Sequence, residues 1–112
     1  MATKPSEGVP ATTERRKFQR LQFRGKIEIE WGSATLIGTV RDICADGMFI
    51  ELMPPLWIGA HFSGRLAVKP AIGLNCTVRR VDPGKGIAVT FEVPEESGKS
   101  QLMALLTALP PV

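Results

Sequence analysis

Two short clusters in this 112-residue chain carry the residue types that do recognition chemistry. The first is the basic run Arg15-Arg16-Lys17-Phe18-Gln19-Arg20, which contains R-x-x-x-R at Arg16 and Arg20. The second is Asp42-Ile43-Cys44-Ala45-Asp46-Gly47, which reads D-x-C-x-x-G. Arginine presents a planar fork that pairs bidentately with phosphate or with the O6/N7 edge of guanine, and its plane stacks on a base. A carboxylate accepts hydrogen bonds, and the Watson–Crick edge of guanine offers two donors. A basic arm beside a turn that bears an aspartate therefore complements a guanine nucleotide with its phosphates. On residue types alone this is one arrangement among several. The second cluster also reads as an ordinary hairpin turn, and the first as a solvated basic face.

Catalytic alternatives are poorly supplied. The single histidine, His61, has no nucleophile or carboxylate partner in sequence and reads as a strand-edge residue. Cys44 lies near turn amides and basic residues that would lower a thiol pKa, but no general base accompanies it. No zinc, P-loop or dinucleotide pattern is present. The expectation is a protein that binds rather than one that catalyses, with no cofactor and no metal.

Composition sets the class. Apolar residues make up 44% and charged residues 22%, the balance of a globular domain. A chain of this length buries enough surface for one core without staples. Cys44 and Cys76 form no metal spacing and no disulfide framework, so they read as reduced thiols of a cytoplasmic protein. No apolar run reaches the ~18 residues of a membrane-spanning helix. The net charge is +3, yet residues 15–26 alone hold six cations and no acid. The remainder therefore sums to −3. Positive potential concentrated in one segment favours a focused anionic partner over broad adhesion to nucleic acid.

Other elements must position the clusters. Residues 1–14 are small and polar, with Pro5, Gly8 and Pro10, and read as a tail. Residues 15–22 form the arm. Ile27, Ile29 and Trp31 alternate with Lys26, Glu28 and Glu30, the period of a half-buried strand. Gly32-Ser33 makes a turn. A second strand over about 35–43 runs into the aspartate-bearing turn, where Gly47 would let the backbone bend sharply. Met48, Ile50 and Leu52 mark a third strand. Pro54 and Pro55 exclude a central strand, and Leu56, Trp57 and Ile58 read as a lid on the core. Phe62, Leu66 and Val68 mark a fourth strand, broken at Pro70 to Gly73. Leu74, Cys76 and Val78 open a fifth that runs to about Val81. Asp82-Pro83-Gly84-Lys85-Gly86 is a hairpin signal, and Ile87, Val89 and Phe91 mark a sixth strand. Pro94-Glu95-Glu96 suits the first turn of a helix, with Ser97 and Ser100 as alternative caps. Leu102, Leu105, Leu106 and Leu109 keep helical spacing until Pro110-Pro111. The expected fold is mainly β: a small six-stranded antiparallel β-barrel over 23–93, closed by a C-terminal α-helix over 94–109.

The arm RRKFQR, the segment RDICADGMFIE, the later strand GIAVTF and the terminal helix fall in the order seen in PilZ domains. Over about residues 15–109 the chain resembles that family. The resemblance implies a bacterial receptor module for the second messenger cyclic di-GMP. It maps Arg16 and Arg20 to the family's ligand-wrapping arginines, with Arg15 as a helper. It maps Asp42 and Gly47 to the acidic and glycine positions of the [D/N]-x-S-x-x-G motif. Cys44 stands at the serine position. A thiol is a weaker donor and acceptor than a hydroxyl. One lost hydrogen bond weakens binding by about 2- to 10-fold, less than a lost arginine–phosphate pair would. With no effector domain in the sequence, the implied output passes to a downstream partner protein.

Two rival readings remain open. One is a PilZ-like protein-interaction module whose nucleotide binding is weakened or lost through Cys44. The other is a small barrel for single-stranded nucleic acid. Such barrels line their grooves with stacking aromatics. Here aromatics are 6% and tyrosine is absent, which disfavours a nucleic-acid partner.

Overall fold

The computed structural model describes residues 19–112. The expected tail and the start of the arm, Arg15 and Arg16 included, lie outside the described residues. Six strands follow in chain order: β1 (Leu21–Trp31), β2 (Ala34–Ile43), β3 (Gly47–Glu51), β4 (His61–Leu66), β5 (Ile72–Asp82) and β6 (Gly86–Glu92). One helix, α1 (Glu96–Ala108), ends the order. The strands close into a barrel in the spatial order β1-β2-β3-β6-β5-β4, with every neighbouring pair antiparallel.

Alternation builds the barrel. On β1 the odd positions turn inward and end in fully buried Ile27 and Ile29. Val40, Met48, Ile50, Leu66, Val78 and Ile87 meet them from the other strands. Each such aliphatic side chain contributes about 1.5–3 kcal/mol when taken fully out of water. Among the described residues no polar or charged residue is buried. The described interior is therefore lined by apolar side chains. Turns occur where glycine was expected: Gly32 (φ 62°) and Gly84 (φ 76°) take left-handed backbone in the β1–β2 and β5–β6 hairpins.

Several boundaries move. β1 begins at Leu21, so the last two arm residues are already strand: Leu21 pairs with Ile43 and Gln22 with Asp42. Arg24, Gly25 and Lys26 conceal this strand behind a basic composition. β5 begins at Ile72 because Ile72 and Gly73 pair with Leu66 and Arg65. β4 ends at Leu66, where Val68 N–H turns back to the Leu66 carbonyl at 2.9 Å. The lid reading holds only for Leu56, which is buried. Trp57 and Ile58 are about 60% exposed, and Trp57 packs its ring edgewise on Trp31, 4.6 Å between centroids. Pro94 is not in the first helical turn: Glu95 is the N-cap in extended backbone, and neither serine caps the helix. Leu102 of α1 is buried, with Leu106 and Leu109 packed partly against the core. Gly98 lets the helix approach closely, since a Cβ there would sit 2.9 Å from Val93 Cγ1.

Candidate functional site

Two β-bulges build the site. Between Val40 and Asp42 the β2–β3 register slips by one residue. Val40 and Ile43 both face the core, so the extra residue leaves Arg41 and Asp42 together on the outside. Between Val78 and Arg80 the β5–β6 register slips in the same way, and Arg79 and Arg80 are both exposed. A single row then crosses four strands: Asp42 pairs with Phe49, Phe49 with Ala88, and Ala88 with Arg80. Charged pairs from β2 and β5 thus flank an apolar floor made by β3 and β6.

Arg20 reaches this surface from the residue before β1. Its Nη1 donates to Asp42 Oδ1 in a partly buried ion pair. Arg41 Nε lies 3.9 Å from the other carboxylate oxygen. Asp42 is therefore held between two guanidiniums. The Arg41 guanidinium also lies over the Phe49 ring, 4.2 Å from its centroid. Arg80 binds Asp82 at 2.9 and 3.3 Å, and that bond holds the Asp82 carboxyl below the usual carboxylate range. The charge of Asp42 adds to the same upward push on Arg80 that Asp82 begins.

The backbone of Arg20 is tied as well. Its carbonyl accepts from Val112 N–H at 3.1 Å, while Gln22 N–H donates to the Pro110 carbonyl at 2.8 Å. Leu21 forms an antiparallel bridge with Pro111. The residue that meets Asp42 through its side chain meets the C-terminal segment through its main chain.

The turn of the second cluster is tightly braced. Cys44 N–H donates to the Gly47 carbonyl at 2.8 Å, and Phe91 N–H donates to the Asp46 carbonyl at 2.9 Å. Cys44 Sγ donates to Asp46 Oδ1 at 3.3 Å. Burial is the main cause that pushes its thiol pKa up, against the lowering that the turn's backbone amides give. Gly47 also differs from expectation. It is a strand residue, and its need for hydrogen comes from a close approach: a Cβ would lie 2.8 Å from the Val89 carbonyl oxygen of β6.

The structure brings Arg20 and Asp42 into contact, places Cys44 in the adjoining turn, and starts β3 at Gly47. Arg41, Phe49 and Arg80 were missed. Arg41 and Arg80 left a signal as unusual doublets, Arg41-Asp42 and Arg79-Arg80, in otherwise alternating strands, and Phe49 left none. His61 is exposed at the start of β4, with Nδ1 2.9 Å from Thr77 Oγ1. A polar groove of about 950 Å³ over the outer faces of β4–β6 includes Asp46, His61, Thr77 and Arg79, but neither Arg20 nor Asp42. We place the site at the charged row, because the row joins both sequence clusters. No described helix is long and apolar enough to cross a membrane.

A closed six-stranded antiparallel barrel with a C-terminal helix, bearing charged residues on its outer wall, defines the architectural class. The PilZ domain profile matches residues 14–108, and the chain belongs to the PilZ domain family. No curated protein sequence matches it. Among solved structures it is similar to the Bacillus subtilis inhibitor of motility MotI/DgrA, with 16% identity and a TM-score of 0.65, covering 81% of this chain and 48% of that one. It is similar to the PilZ domain of CeSA from a cellulose-synthesizing bacterium, with 14% identity and a TM-score of 0.61, covering 79% and 94%. A third similar structure is the K. pneumonia MrkH–c-di-GMP complex, with 16% identity and a TM-score of 0.66, covering 83% and 50%. The chain thus spans about half the length of MotI/DgrA and of MrkH.

Proposed function

We propose that this chain is a non-enzymatic cytoplasmic receptor domain that binds cyclic di-GMP through Arg15, Arg16, Arg20, Asp42, Cys44 and Gly47 and relays the bound state to a partner protein. One observation carries the reading. Arg20 and Asp42, 22 residues apart, meet on the outer wall of the barrel. Each satisfies the other. A guanine nucleotide offers replacements for both: donors for the carboxylate, and phosphate or guanine acceptors for the guanidinium. Family membership supports the ligand class, and MrkH has been solved as a c-di-GMP complex. Release of Arg20 from Asp42 would free the arm, and the re-formed surface is what a partner would recognise.

Cys44 favours a second reading, an interaction module that has lost nucleotide binding. Its thiol is buried and donates to its own turn. Calorimetric titration with cyclic di-GMP, with GTP as control, separates the two. The receptor reading expects saturable binding specific to the cyclic dinucleotide, weakened about tenfold or more by Arg16→Ala or Arg20→Ala. No heat at high micromolar ligand would favour the interaction module. Affinity left intact by either arginine variant would overturn the residue assignment.

A further inference from the structure

Phe49 occupies an outward position on β3, between inward Met48 and Ile50, yet it is only 2% exposed. Part of its cover is Arg41. The guanidinium lies 4.2 Å above the ring, with Nε 3.9 Å from Asp42 Oδ2. The head group is thus held from below by a π face and from the side by a carboxylate. Of the Arg41 side chain 43% stays exposed. Two adjacent residues of one bulge therefore present different chemistry: Asp42 offers an edge of acceptors, and Arg41 offers a flat cation.

We propose that Arg41, bedded on Phe49, is a stacking platform for a purine base of the bound nucleotide. The inference rests on the receptor reading and deepens it. A guanidinium plane stacks on a base because both surfaces are flat and weakly hydrated, and the cation faces the π cloud. Bedding on Phe49 restricts the rotamers of a long side chain before ligand arrives, so less ordering is required on binding. The base lies flat on Arg41 while its donor edge turns toward Asp42. Face and edge of one base are then read by consecutive residues, which the bulge alone makes possible. Without it, Arg41 and Asp42 would point to opposite sides of the strand.

Lysine separates stacking from charge, because it keeps the cation and loses the plane. Cyclic di-GMP is titrated into the wild-type domain and into Arg41→Ala, Arg41→Lys and Phe49→Leu, with circular dichroism confirming the fold of each. The expected result is about a tenfold loss of affinity in Arg41→Ala and a similar loss in Arg41→Lys. Phe49→Leu, which keeps an apolar floor but removes the π bed, loses less. Wild-type affinity in Arg41→Lys would reduce the residue to a charge and overturn the platform. Undiminished binding in Arg41→Ala would overturn it outright. If Phe49→Leu does not fold, the two Arg41 substitutions, at an exposed side chain, still decide. Failure of the wild-type domain to bind would instead remove the receptor reading and the platform with it.

Discussion

Arg20, in the segment before β1, is ion-paired with Asp42, in the bulge of β2. The pair joins the two sequence clusters. Its side chains are 26% and 15% exposed, so solvent still screens it. Arg20→Ala is expected to cost about 1 kcal/mol of stability or less. The same substitution should weaken cyclic di-GMP by tenfold or more, since a charge-assisted contact to ligand is lost. Urea unfolding and calorimetry on one preparation check both. Equal effects on stability and binding would mark the pair as structural.

Cys44→Ser is expected to tighten cyclic di-GMP binding by about 2- to 10-fold, through the stronger donor and acceptor a hydroxyl provides. Titration of the two proteins side by side reads the difference. An unchanged or weaker affinity would show that residue 44 serves its own turn through Asp46 and not the ligand.

Gly47→Ala should destabilise the barrel. The added methyl group meets the Val89 carbonyl oxygen at 2.8 Å, and that oxygen belongs to the neighbouring strand and cannot swing aside. Overpacking of this kind costs about 1–3 kcal/mol. The midpoint of urea unfolding should fall, with little change in its slope. A variant as stable as the parent would place the demand for glycine on ligand approach instead.

Burial pushes the Cys76 thiol up to about 12 from an ordinary value of 9.0. The unfolded thiol ionises first as pH rises, and the folded one stays protonated. The associated stability is present in full below pH 9.0 and is lost as pH climbs toward 12. Chemical unfolding across this interval should show the decline, and Cys76→Val should flatten it. A parallel decline in the variant would assign it to other groups.

The barrel was legible because alternation with period two is written plainly in Ile27–Trp31, Met48–Leu52 and Leu74–Val78. The site was legible in part. Arg20 and Asp42 stood out by residue type, and the resemblance supplied their order. What alternation hides is any residue placed by a break in alternation. Asp42 and Arg80 face outward beside Arg41 and Arg79 because a bulge adds one residue to each strand, and a bulge leaves no mark but a doublet of polar residues. Phe49 alternates with Met48 and Ile50 like any outward residue of β3, and only the fold shows Arg41 laid over it. The start of β1 was hidden for another reason: Leu21 and Phe23 alternate properly, but the basic residues around them give the segment the look of an arm. Glu95 as N-cap runs against capping preference, because its side chain makes no cap hydrogen bond.

β1 pairs with β4 only over Ile27–Glu30, so the earlier half of the strand presents a hydrogen-bonding edge on that side. Pro110–Val112 lies along it, with bonds to the main chain of Arg20 and Gln22. An uncovered edge of this kind recruits a strand from another molecule. Two prolines make a poor recruit themselves, since neither has an N–H to offer the next chain. The Pro110–Val112 segment thus works as a selvedge, finishing the sheet at the place where its weave would otherwise fray into a neighbour.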